Sequence, residues 1–142
     1  MAVDIAKMDG AALAFIGDAV YEIYVRKHVL EEAFGSEEGE GARTARAARV
    51  DALHHRTVAF VNAKAQAKAI KAMAGGLSEE EQAVVRRARN HKPASVPKSA
   101  DVMEYKWATA FEALVGRLYL DGNTEEMERV IYEAIRIIEA AE

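Results

Sequence analysis

Two stretches of this chain are apolar almost all the way round a helical wheel, and each carries a glycine and a carboxylate near its middle. Ala11 to Val25 (AALAFIGDAVYEIYV) has only Asp18 and Glu22 as charges, and Trp107 to Leu120 (WATAFEALVGRLYL) only Glu112 and Arg117. A helix that is apolar on every side is buried on every side, so both are expected at the centre of a helical core. An ionised carboxylate in hydrocarbon is costly unless something pairs with it. An arginine or lysine would serve. So would a divalent cation shared by Asp18 and Glu112, and hard oxygen ligands suit magnesium. Gly17 and Gly116 lie inside these helices at a cost of about 1 kcal/mol each relative to alanine. Close approach of two backbones would offset that cost. If the helices cross at these glycines, the two acids converge; otherwise each glycine only makes room for a bulky neighbour.

The pattern elsewhere predicts an all-α fold of about six to seven helices forming one domain over residues 1–142. Apolar residues make up 51% of the chain, so disorder is not expected. Cysteine is absent, which excludes disulfides, thiolate metal sites and cysteine nucleophiles, and fits a reducing compartment. The first residues lack the pattern of a secretory signal, and no apolar run is long enough to span a bilayer. The expectation is a cytoplasmic protein with no membrane partner.

Local signals divide the helices. The first is expected over Gly10 to Leu30, followed by an acidic, glycine-rich loop from Glu31 to Gly41. A second is expected over Ala42 to His54 and a third over Arg56 to Ala74, ending at Gly75-Gly76. Ser78 with Glu81 forms a capping-box pattern for a fourth helix to Asn90. Both prolines, Pro93 and Pro97, fall in His91 to Ala100, which reads as a loop. Asp101 caps the helix that reaches Leu120, and Asn123 with Glu126 opens a last amphipathic helix.

The net charge of −4 argues mildly against a nucleic-acid partner, but the charge is unevenly spread. Arg43, Arg46, Arg49, Arg56, Lys64, Lys68 and Lys71 share their segment with one acid, Asp51. Arg86, Arg87, Arg89, Lys92 and Lys98 share theirs with none. The tail beyond Asp121 is acidic. A basic face can therefore coexist with a negative total. Lys64, Arg86, Arg87, Arg89, Asn90, Lys92 and Lys98 are the candidates for contact with a phosphate backbone, with solvated helix faces as the alternative. His54, His55 and His91 show no zinc spacing, and Tyr105 and Trp107 read as core residues.

Taken together, ALAFIGDAVYEIYVR (Ala12 to Arg26), NAKAQA (Asn62 to Ala67), RARNHKPASVPK (Arg87 to Lys98) and DVMEYKWATAFEALVG (Asp101 to Gly116) resemble the mini-ribonuclease III family. These are ribonuclease III-like proteins without a separate double-stranded-RNA-binding domain. The Phe-Ile-Gly-Asp-Ala and Phe-Glu-Ala-Leu-Val-Gly motifs, about 90 residues apart, are fairly specific as a pair. The resemblance implies that Asp18 and Glu112 are the catalytic, metal-binding acids. Two further acids of full-length ribonuclease III are replaced here by Ala14 and Thr109. It also implies a homodimer that hydrolyses double-stranded RNA with Mg2+, leaves 5′-phosphates, and matures 23S ribosomal RNA precursors. A non-catalytic relative that keeps the fold as an RNA-binding scaffold is the alternative. Glu22, one turn after Asp18, is expected to form a structural salt bridge.

Overall fold

A computed structural model describes residues 2–35, 49–92 and 101–142. Six α-helices account for most of them: α1 (Gly10–Phe34), α2 (Val50–Val61), α3 (Ala63–Met73), α4 (Glu79–Asn90), α5 (Val102–Leu120) and α6 (Thr124–Ala140). Short 3-10 turns cover Ile5–Lys7 and Ala74–Gly76. Among the described residues there is no strand, so the all-α expectation holds. None of these helices is long and apolar enough to cross a membrane.

The caps explain why the helices begin where they do. Asp9, Asn62, Ser78, Asp101 and Asn123 each accept a hydrogen bond from a backbone N–H of the following first turn, satisfying donors that the helix cannot. Ser78 and Glu81 complete a reciprocal capping box.

Two boundaries differ from the sequence reading. Helix α1 continues to Phe34, past the expected loop start, because Lys27 pairs with Glu31 one turn on and Arg56 holds Glu32. The break between the second and third helices falls at Asn62 rather than near His55. Asn62 adopts an extended backbone (ψ 155°) and its side chain caps Ala65 N–H, so α2 ends there and α3 begins. The expected helix start at Ala42 and the proline loop from Pro93 lie outside the described residues.

Helices α1 and α5 form the centre, with α3 and α4 packed on α5 and α2 on α1. They cross where Gly17 meets Glu112 and Gly116 meets Leu13, so the chains run in opposite directions at the contact. A Cβ on Gly116 would lie 2.0 Å from the carbonyl oxygen of Leu13. Both glycines are thus required by backbone proximity, as their placement against propensity suggests. Tyr21, one turn beyond Gly17, stacks edge-on against Phe111 at 4.8 Å, and its hydroxyl donates to the carbonyl of Phe60 at 3.0 Å. Helix α6 closes the core with Met127, Val130, Ile131, Ala134, Ile135 and Ile138 on one face.

Helix α1 is not buried on every side, contrary to the reading of its apolar pattern. Phe15 is 84% exposed and Ile23 66%. These residues, eight apart, share a face that the rest of this chain does not cover. An apolar pattern records what a helix can bury, and here it exceeds what one copy of the chain supplies.

Candidate metal-binding cleft

The crossing fixes two acids against each other. Asp18 follows Gly17 directly, and Glu112 supplies the carbonyl that Gly17 touches. The two side chains meet at one cleft, and the Asp18 carboxyl is near enough to disfavour ionisation of Glu112. Both line a cleft of about 380 Å³ bounded by Ala14, Phe15, Gln66, Tyr105, Thr109 and Ala63. Asp18 sits at the open side and Glu112 deeper. Burial, and then the neighbouring Asp18 carboxyl, push the Glu112 carboxyl up to about 9. Glu112 is therefore protonated at neutral pH unless a cation joins it.

Neither acid carries a lysine or arginine partner among the described residues, whereas Glu22 is paired with Arg26 at 3.3 Å as expected. The most favourable neighbour of Glu112 is Gln66, which the sequence reading did not single out. Gln66 is only 2% exposed. Its amide donates to the Val61 carbonyl at 2.9 Å and lies 3.5 Å from Glu112 Oε2. Its own carbonyl oxygen is buried without a donor. A signal was available: Gln66, Ile70 and Met73 fall at core-facing spacing on α3, so the one polar member of that stripe faces inward. Thr109 also lines the cleft, and its hydroxyl donates to the Tyr105 carbonyl at 2.9 Å.

The donor set fits a hard divalent cation. Two carboxylates converge without a cationic partner, an amide steadies one of them, and an orphaned carbonyl oxygen lies beside them. A second cluster, His28, Glu32 and Glu139, also has ligand-type atoms within 4.8 Å of one another. Arg56 already occupies it, at 3.0 Å from Glu32, 3.4 Å from Glu139 and 2.6 Å from Glu142. Its guanidinium answers the charge that a metal would otherwise answer.

The candidate RNA-contact residues separate into groups. Lys64 begins α3 at the cleft edge, next to Ala63. Arg86 and Arg89 line a different cavity, of about 290 Å³, with Trp107. Arg87 points elsewhere, into a cavity shared with Glu80, Arg117 and Asp121. Asn90 accepts from Arg89 Nε at 3.1 Å, and Lys92 is exposed just beyond α4. Lys98 lies outside the described residues. Trp107, expected in the core, is half-buried at the surface.

Comparison with known proteins places the chain in a family. Residues 11–123 match the ribonuclease III domain. Mini-ribonuclease 3 of Thermoanaerobacter sp. is 41% identical over 127 residues, covering 89% of this chain and 80% of the relative. This chain belongs to the mini-ribonuclease III family. Mini-ribonuclease 3 of Symbiobacterium thermophilum is 42% identical over 127 residues, with 89% and 88% of the two chains covered. A crystal structure of a Fusobacterium nucleatum protein superposes with a TM-score of 0.75 at 37% identity, covering 94% of this chain and 96% of that one. The mini-ribonuclease III motifs around Asp18 and Glu112 fall within the matched domain, on the two helices that cross at glycine.

Proposed function

We propose that this mini-ribonuclease III chain is an endoribonuclease that hydrolyses double-stranded RNA with Mg2+, leaves 5′-phosphates, and matures the ends of 23S ribosomal RNA precursor. Family membership supports ribonuclease III-type cleavage of duplex RNA. The observation that carries the metal-dependent reading is the meeting of Asp18 and Glu112 at the glycine crossing with no cationic partner beside them among the described residues.

Asp18 and Glu112 are the residues that would hold the ion, Asp18 from the cleft mouth and Glu112 from its floor. When bound, magnesium lowers the pKa of water and neutralises charge developing on the phosphate. The Gln66 amide, 3.5 Å from Glu112 Oε2, is the neutral donor nearest that carboxyl and helps to position it. The Thr109 hydroxyl, anchored by its bond to Tyr105, offers a polar wall where the larger enzyme has an acid. Duplex RNA is read mainly by shape and backbone contacts, and the cations of α3 and α4 supply these. Of the nine described arginines, Arg26, Arg49, Arg56, Arg117, Arg129 and Arg136 are paired with carboxylates. The three without such a partner among the described residues, Arg86, Arg87 and Arg89, all lie on α4.

The exposed apolar face of α1, with Phe15 and Ile23, supports a homodimer. Two copies that cover this face isologously bury apolar surface that one copy leaves in water.

The deciding experiment incubates the protein with duplex RNA in magnesium and then in EDTA. Cutting in magnesium that stops in EDTA supports the enzyme. Binding without cutting in either condition instead supports the RNA-binding scaffold.

A further inference from the structure

Among the described residues, two buried side-chain oxygens have no hydrogen-bond partner, Glu81 Oε2 and Gln66 Oε1. Glu81 lines a different cavity, whereas Gln66 lines the cleft of Asp18 and Glu112. The break at Asn62 puts it there. The extended backbone of Asn62 ends α2, and Gln66 follows in the first turn of α3, its N–H on the Asn62 carbonyl at 3.1 Å. Its side chain reaches back to α2. Nε2 donates at 2.9 Å to the carbonyl of Val61, the last residue of α2, whose oxygen has no partner within its own helix. Glu112 Oε2 lies 3.5 Å from the same nitrogen.

The amide cannot be turned over to satisfy its oxygen. A half-turn would set Oε1 against the Val61 carbonyl and Glu112 Oε2, acceptor against acceptor. The nitrogen is therefore fixed toward those two oxygens, and Oε1 is the atom left over. Gln66 is 2% exposed, so bulk water does not solvate that oxygen. A buried acceptor in this condition calls for a bound water or an ion. An amide carbonyl is a hard, neutral oxygen donor of the kind that magnesium and calcium accept beside carboxylates.

We propose that the Gln66 side-chain carbonyl oxygen is a third protein ligand of the divalent cation, beside the carboxylates of Asp18 and Glu112. The inference rests on the metal reading above and gives Gln66 a bond to the ion in addition to its contact with Glu112. The three donors come from α1, α5 and α3, so the cation ties the helix after the Asn62 break to the central pair. A neutral third donor also adds coordination without adding charge. Two carboxylates balance a divalent ion, and no surplus negative charge opposes the approach of an RNA phosphate.

The chain contains two glutamines, Gln66 and Gln82. Gln82 donates to the carbonyls of Ala74 and Leu77 and lines the cavity beside Trp107 rather than the cleft, so it serves as an internal reference. The wild-type chain, labelled with glutamine carrying 13C at the side-chain carbonyl, is titrated with magnesium chloride in the absence of RNA. The Gln66 signal is expected to shift and to saturate with the calorimetric binding curve, while Gln82 stays constant. Asp18→Asn should abolish the shift over the same range. Terbium(III) then stands in for the ion, its decay in H2O and D2O counting the waters bound to it. The terbium signal analysed is the one that Asp18→Asn removes. Gln66→Met keeps the length of the side chain and removes the oxygen. It should add one bound water and weaken magnesium binding about 10-fold or more.

A Gln66 carbonyl signal that stays constant while magnesium binds overturns the proposal, and this wild-type measurement does not depend on any variant folding. Weaker binding in Gln66→Met with an unchanged water count also overturns it, because the amide then only positions Glu112. No magnesium binding to the wild-type chain overturns it as well. The nuclease reading fails separately. Duplex RNA left uncut in magnesium, with the Gln66 shift intact, removes the nuclease and leaves the ligand standing. Magnesium-dependent cutting with a constant Gln66 signal does the reverse.

Discussion

A Cβ placed on Gly17 would sit 1.7 Å from the carbonyl oxygen of Glu112, so the two helices touch through backbone at the position that carries the site. No side-chain movement can relieve that contact, because the obstructing atom belongs to the main chain.

Gly17→Ala and Gly116→Ala should each therefore force α1 and α5 apart. Helix propensity alone favours alanine by about 1 kcal/mol, yet overpacking against backbone reverses the sign. The expected net loss is about 3 kcal/mol or more. Thermal unfolding measures it, and magnesium-dependent cleavage should fall with it. Gly76→Ala is the contrast, since nothing lies within 4 Å of its Cβ position, and unfolding should shift by no more than about 1 kcal/mol.

The raised Glu112 carboxyl makes metal-free stability depend on pH. Between the ordinary glutamate value near 4.5 and about 9, the folded state keeps a proton that the unfolded state has released. Stability contributed by this group is thus full below 4.5 and declines as pH rises through that window. The melting temperature in EDTA should fall from pH 5 to pH 9, and Glu112→Gln should flatten the fall. Magnesium affinity should run the opposite way and tighten with rising pH, because the ion must displace that proton. Calorimetric titration at three pH values checks this, and a pH-independent affinity would contradict it.

Asp18→Asn removes a charge at the cleft mouth without changing side-chain volume. Cleavage should drop by more than about 100-fold, the upper range for losing a supporting group rather than a ligand. Duplex binding should persist, since the phosphate-contacting cations are elsewhere. Gln66→Leu should lower magnesium affinity by about 10- to 100-fold while leaving the melting temperature of the metal-free protein within a few degrees. Titration with the metal alone separates that effect from activity.

The uncovered face of α1 gives a prediction about assembly. Wild-type protein should sediment as a dimer. Ile23→Glu should sediment as a monomer with an unchanged helical circular-dichroism spectrum, because Ile23 projects away from the core of its own chain. A wild-type monomer at micromolar concentration would contradict the homodimer.

Much of this arrangement is legible in the sequence where a residue pays a local penalty for a distant reason. Gly17 and Gly116 oppose helix propensity, and that opposition points to the crossing and so to the convergence of Asp18 with Glu112. Caps read well because Ser78, Asp101 and Asn123 act within four residues of themselves. The break at Asn62 is hidden because no glycine or proline marks it, and only the extended backbone of Asn62 reveals the cap. Facing is less legible still. Arg86 and Arg87 are neighbours in sequence, yet one helical step of about 100° sends them to different cavities. Apolar periodicity does not distinguish burial by the same chain from burial by another, so Phe15 and Ile23 look like core residues until the fold shows them uncovered.

Because the acids hang from two main chains in contact, the separation of their backbones is set by that contact and not by how tightly the surrounding side chains are packed. Warming loosens apolar layers gradually, but this pair can separate only when the helices themselves part. Heat inactivation should accordingly be abrupt and coincide with global melting, with no preceding interval in which a folded molecule has lost its chemistry.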